Sequence, residues 1–200
     1  MKKLLLCLFA AVFMLNLSAC SGTKVTRVSP DEVVDLSGNW NDTDSQEVSK
    51  EMISEVLTYA WYADFMTSRG KKPTVIVGSV LNKTEEHIAT ETFVKDLERS
   101  LINTGKVVFV ASKDQRDEIR AEREDQAVNA KASTIKQTGQ ETGADFMLKG
   151  QINSIFDTGS GAEVKYYQVE LEMIDMESNE KVWMGQKKIK KVVAKRRYKA

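Results

Sequence analysis

Histidine and cysteine are the scarcest chemically useful residues in this 200-residue chain: it has one histidine, His87, and two cysteines, Cys7 and Cys20. A hydrolytic triad needs a histidine set by an acid beside a nucleophile, and His87 has no G-x-S-x-G serine to serve. A multi-histidine metal centre is excluded outright. No G-x-x-x-x-G-K-[ST] loop is present to cradle phosphate. Charge of one sign is also missing, with 29 basic and 29 acidic side chains, so no global charge points to nucleic acid. No metal, cofactor or nucleic-acid partner is expected. An acid/base role for Glu85, Glu86 and His87 is disfavoured, because adjacent residues on a loop point in different directions.

What is present at the start is a leader. Lys2 and Lys3 precede an apolar run from Leu4 to Leu17, and Leu17-Ser18-Ala19-Cys20 has the form of a lipobox. The run is about 14 residues long and contains Asn16, short of the ~20 a membrane-spanning helix needs. Residues 1–19 are therefore expected to be a lipoprotein signal peptide, with cleavage before Cys20 and attachment of a diacylglycerol to its thiol. Cys7 would leave with the leader and Cys20 would be consumed, so the mature domain would have no free thiol and no disulfide. Without Lys2 and Lys3 the chain carries 27 basic and 29 acidic residues. Residues 20–37 read as the lipidated cysteine and a short flexible tether, whose Ser21 to Ser37 would reach about 55–60 Å fully extended.

The ordered part is expected to open around Asp35-Leu36-Ser37-Gly38-Asn39-Trp40-Asn41-Asp42-Thr43-Asp44, with Thr43 or Asp44 capping a helix and Trp40 plugging the loop onto the domain. Val48, Met52, Val56 and Ala60, flanked by Ile53, Leu57 and Trp61, recur at helical spacing and predict one helix from Ser45 to about Ser68. Thr74 to Leu81 is β-branched enough for a central strand buried on both faces. A helix carrying Phe93, Leu97 and Leu101 follows, capped by Thr90, then a strand at Val107 to Val110. That βαβ unit requires parallel strands. Asp114 to Ala130 reads as a solvated helix and Ser133 to Thr142 as a second short one. A strand runs from Asp145 towards Phe156. Val164 to Asp175 then alternates, with Tyr167, Val169, Leu171 and Met173 on one face and Tyr166 on the other. The last strand, Lys181 to Ile189, is lysine-rich as befits a sheet edge, and residues 190–200 read as a frayed basic tail. Lys187, Lys188, Lys190, Lys191, Lys195, Arg196, Arg197 and Lys199 together form the one charge asymmetry of the chain, read as a solvated edge and tail or, alternatively, as a contact for anionic lipid headgroups or anionic polysaccharide. The expected fold is α/β of the α+β kind: a single mixed sheet flanked by helices over residues 38–189.

The opening motif resembles that of the LpoB family of penicillin-binding protein activators. So do Lys72-Pro73 before Val75-Ile76-Val77-Gly78, Asn82, Thr84 and Glu86-His87-Ile88, and later Gly143-Ala144-Asp145, Tyr166-Tyr167 and Trp183. The resemblance implies a fold like the N-terminal domain of TolB and an outer-membrane lipoprotein facing the periplasm, with Ser21 agreeing with that sorting. It also implies binding of a class A penicillin-binding protein to stimulate its glycosyltransferase and transpeptidase. With no catalytic constellation in its residues the chain is expected not to be an enzyme, and it is expected to be a monomer. The best-known members have a long linker; here the tether is Ser21 to about Ser37. Asn82, Thr84, Glu86, His87 and Tyr166 are the candidate partner-binding residues. The alternative is a structural or secretion-accessory lipoprotein related to curli-secretion domains.

Overall fold

A computed structural model describes residues 25–30 and 32–194. The leader, Cys20 and residues 195–200 lie outside the described residues. The chain divides between Glu32 and Val33 into two units, and the second contains every helix and strand described below.

Among the described residues, four helices and five strands occur in the order α1 (Asp42–Val56), α2 (Ala60–Arg69), β1 (Thr74–Asn82), α3 (Thr90–Asn103), β2 (Val108–Phe109), α4 (Lys113–Asn129), β3 (Phe146–Thr158), β4 (Ala162–Asp175) and β5 (Lys181–Ala194). The strands form one mixed sheet in the order β2-β1-β3-β4-β5. β1 is parallel to both β2 and β3, and β3-β4-β5 is an antiparallel meander. The fold is α+β with a single mixed sheet, as the sequence predicts.

α1 and α3 pack together and against one face of the sheet. The helical stripe supplies Val48, Met52, Ile53 and Val56 from α1 and Phe93, Leu97 and Leu101 from α3. They meet Val75, Val77, Leu148, Ile152, Val169, Leu171, Met173 and Trp183 of the sheet. Alternation decides which strand residues enter this core: in β4 the odd-numbered residues from Lys165 to Met173 are buried and the even-numbered ones are half-exposed. The opposite face of β3, β4 and β5 therefore carries Asn153, Tyr166, Gln168, Glu170 and Lys188 on its surface. In β5 the Trp183 ring lies over Gly185, where a Cβ would collide with it.

Several boundaries differ from the sequence reading. The single helix expected from Ser45 to Ser68 is two. Thr58 turns its hydroxyl back onto the Glu55 carbonyl at 2.7 Å, and Tyr59 adopts an extended backbone before α2 begins. The break leaves Ala60 exposed but keeps Trp61 buried, its Nε1 donating to the Val56 carbonyl at 2.8 Å. The N-cap of α1 is Asn41 rather than Thr43 or Asp44, because Asp44 serves as the returning acceptor of a capping box. α3 starts at Thr90, but Ala89 is its N-cap and no side chain caps it. β1 is buried from Thr74 to Val77, then shifts register between Val77 and Val80 and emerges into solvent. β2 has only two residues. The helix expected over 133–142 is absent; Thr134 closes a turn onto Lys131, and Gly139 takes a positive φ. β5 continues to Ala194, five residues past the expected strand end, because Tyr166 to Ala162 of β4 still offer it a partner.

Candidate functional site

The polar centre of the molecule lies where the segment before α1 crosses the core-side end of β4 and β5. Residues 35–41 form a strap held there by side chains from three distant parts of the chain. Gly38 takes a left-handed backbone (φ 71°), which glycine adopts without strain, and a Cβ at that position would run into Val193. Trp40 then turns inward. Its ring meets Phe93 edge-on at 6.1 Å and Tyr167 at 5.7 Å, while its Nε1 donates to Ser45 Oγ at 2.8 Å. The expected plug is therefore present.

Glu86 is the hub. Its carboxylate accepts the Trp40 backbone N–H at 3.2 Å and the Tyr167 hydroxyl at 2.8 Å on Oε2, and Lys165 Nζ at 3.0 Å on Oε1. The Glu86 and Lys165 side chains are only 13% and 11% exposed. Buried charges need this degree of pairing, since an ion left alone in the interior is costly. Lys165 also donates to Asn39 Oδ1 and sits over the Phe156 ring at 5.3 Å. A second lysine repeats the pattern: Lys191 Nζ reaches Asp35 Oδ1 and Asp44 Oδ2, both at 2.7 Å, and the Asn39 carbonyl at 3.2 Å. Burial alone would lower the Lys191 pKa, but the hydrogen bonds and charges of Asp35 and Asp44 outweigh it and raise the pKa. Tyr167 is pushed well above the ordinary tyrosine value, first by burial and then by its bond to the Glu86 carboxylate.

The loop after β1 is built around its own polar residues. Asn82 Nδ2 donates to the Glu86 carbonyl at 2.7 Å, and Asn82 Oδ1 accepts from the Thr84 amide and hydroxyl at 2.9 and 2.7 Å. The Glu86 amide donates to Thr84 Oγ1 at 3.1 Å. The structure thus brings Asn82, Thr84 and Glu86 together as a loop whose carboxylate faces the strap. His87 is exposed beside them with no hydrogen-bond partner among the described residues. Tyr166 is not part of this cluster. It stands on the opposite face of the sheet, paired in register with Ile155 and Lys190, and its hydroxyl donates to Gln168 Oε1 at 3.1 Å.

Sequence reasoning missed Asn39, Lys165 and Lys191 as members of this network. A signal existed for Lys165: it is in phase with Tyr167, Val169 and Leu171, so the alternation that buries them buries it too. An inward lysine implies an acid facing it. Chemically the cluster is a saturated clamp. The Glu86 carboxylate takes a cation, a phenol and an amide, an arrangement suited to locking a segment rather than to moving protons. Among the described residues no group of three or more His, Cys, Asp or Glu could hold a metal ion, and no helix is long and apolar enough to cross a membrane.

Comparison with known proteins agrees with the motifs. Residues 44–189 match the family described as peptidoglycan-synthase activator LpoB. No curated protein matches the chain. Among solved structures, the LpoB C-terminal domain from Salmonella enterica is 15% identical, with 73% of this chain and 98% of that one covered and a TM-score of 0.45. The LpoB C-terminal domain from Escherichia coli is 16% identical, covers the same shares and has a TM-score of 0.46. Lipoprotein GNA1162 from Neisseria meningitidis is 13% identical over 60% of this chain and 83% of that one, at a TM-score of 0.40. The family match takes in α2, α3, α4 and β1 to β4 whole, α1 from Asp44 onward and β5 as far as Ile189, and of the clamp it includes Asp44, Glu86, Lys165 and Tyr167, while the strap and Lys191 fall outside it: the chain belongs to the LpoB family of peptidoglycan-synthase activators.

Proposed function

We propose that this chain is an outer-membrane lipoprotein, anchored through Cys20 and facing the periplasm, that binds a class A penicillin-binding protein as a monomer and activates it allosterically. The observation that carries the reading is the family match over residues 44–189. The lipobox at Leu17 to Cys20 supplies the anchor, and Ser21 agrees with outer-membrane sorting.

In this reading the domain has no reaction of its own. It acts by binding one state of the synthase more tightly than another, since only differential affinity shifts an equilibrium. The strap matters to that task. It joins the tether to the loop 82–88 through Glu86, so the loop that presents His87 has a fixed position relative to the anchored end of the domain. Asn82, Thr84 and Glu86 position the loop, and His87 and Tyr166 are the candidate residues with surface to offer a partner. The test is a glycosyltransferase assay with each class A synthase of the organism, with and without the protein. Stimulation of at least one, accompanied by direct binding, is the expected result. Absence of both with every synthase overturns the proposal.

A further inference from the structure

The basic run at the end of the chain divides into two kinds of lysine. Lys181 pairs with Glu172 at 2.7 Å, Lys187 with Glu51, and Lys191 with Asp35 and Asp44. Lys188 and Lys190 are exposed, and neither has an acidic partner among the described residues. Alternation along β5 puts both on the open face of the sheet, opposite the helices. There Lys190 is in register with Tyr166 and Lys188 with Gln168, which is in turn in register with Asn153 of β3.

These residues form a regular lattice, with spacings of about 4.8 Å between strands and about 6.7 Å along them. Its polar groups are already oriented. Tyr166 donates to Gln168 Oε1, Gln168 Nε2 donates to Glu170 Oε1 at 2.5 Å, and Gln151 Nε2 donates to Glu170 Oε2 at 2.9 Å. The Glu170 carboxylate, surrounded by amide donors that hold its pKa below the ordinary range, is occupied locally and does not cancel the two lysines through an ion pair. The face therefore offers two free cations at one edge and a strip of amides and one phenol beside them.

We infer that the open face of β3, β4 and β5 binds a carboxylate-bearing glycan polymer, the carboxylates carried on its sugars or on short peptide branches meeting Lys188 and Lys190 and its hydroxyl and amide groups meeting Tyr166, Gln168 and Asn153. Charge complementarity selects the anion. The planar, pre-oriented hydrogen-bonding groups match a polyhydroxylated chain lying flat on the sheet better than a featureless charged surface. The inference stands apart from synthase activation: a chain that stimulates no synthase can still bind glycan here.

The test sediments the full chain, solubilised in a detergent without a sugar headgroup, with purified peptidoglycan sacculi, whose stem peptides carry carboxylates. Polygalacturonate and dextran serve as acidic and neutral competitors, and phosphatidylglycerol vesicles as a lipid competitor. The protein is expected to sediment with sacculi and to be released by polygalacturonate but not by dextran. The double variant Lys188→Gln/Lys190→Gln should bind roughly tenfold more weakly, and Gln168→Ala a few-fold more weakly, as expected for lost hydrogen bonds to charged and neutral groups. Circular dichroism and urea unfolding check that each variant is folded; these are surface positions, and Lys188→Gln alone serves if the double variant is not. No sedimentation overturns the inference. So does release by vesicles but not by polygalacturonate, which would make the face a lipid-binding surface. Variants that lose synthase binding while still sedimenting with sacculi would make it a protein-docking face and also overturn it.

Discussion

The strap with its clamp and the helix α4 are both dense in charged and polar residues, yet their charges do opposite work. In the clamp, Lys165 and Lys191 are drawn into the interior by their strand positions, and Glu86, Asp35 and Asp44 come to meet them. In α4 no residue is buried, and Val128 is 83% exposed. Its links are surface pairs such as Arg120 with Asp117 and Glu141, and Arg123 with Glu141. The Arg120 and Arg123 bonds hold the Glu141 carboxyl below its ordinary pKa, with the Arg120 hydrogen bond the largest cause. The difference shows that charge density does not rank a segment's importance to the fold. What ranks it is whether the backbone pattern forces the charge inward, where pairing becomes obligatory.

The largest expected effect that would break this contrast is at the hub. Glu86→Ala leaves Lys165 buried without its acid and removes the acceptor of Trp40 and Tyr167; it should cost about 3–5 kcal/mol in urea unfolding, the range for breaking one side of a buried pair. A loss under about 1 kcal/mol would mean that the clamp is no stronger than the α4 surface pairs. Gly38→Ala should cost about 1–2 kcal/mol, because it adds a side chain at a positive φ against Val193; the urea midpoint measures it, at unchanged slope.

pH sharpens the comparison next. Tyr167 and Lys191 both have raised pKa values in the folded state, so each holds its proton where the unfolded chain has lost it. Their contribution to stability is full below about pH 10 and declines as pH rises through the folded values. Thermal unfolding between pH 9 and 11 should therefore show a falling Tm, and Tyr167→Phe should flatten the slope relative to the parent. The smallest effect belongs to α4. Glu141→Ala should leave the urea midpoint essentially unchanged, since exposed ion pairs contribute little. Native-state hydrogen exchange should find the α4 amides far less protected than those of α1, whose Val48, Met52, Ile53 and Val56 are buried in the core.

Much of the fold was legible because it rests on local periodicity. The stripe through Val48, Met52 and Val56, the triplet Phe93, Leu97 and Leu101, and the alternation from Val164 to Asp175 each specify a face before any partner is known. The misplaced boundaries share a cause. The break at Thr58 and Tyr59 depends on a hydroxyl returning to the Glu55 carbonyl and on Tyr59 packing against Trp183, a residue more than a hundred positions away. β5 runs past Ile189 only because β4 is there to pair with it. The candidate site was half legible. Asn82, Thr84 and Glu86 announce themselves as a turn-forming polar cluster within five residues, whereas the bonds from Glu86 to Lys165 and Tyr167 span 79 and 81 positions in the chain, and the one from Lys165 to Asn39 spans 126.

The sequence by itself determined the order of most elements, the core faces of α1, α3 and β4, and the motifs that agree with its family. Each is a property of residues close together along the chain. Only the tertiary structure decided which charges are structural and which are free. Lys187, Lys188, Lys190 and Lys191 look alike in the sequence, yet alternation across a paired strand turns Lys187 and Lys191 toward the helices and strap and leaves Lys188 and Lys190 on the open face. A lysine's role follows from what stands across from it, and that is set by pairing between strands far apart in the chain.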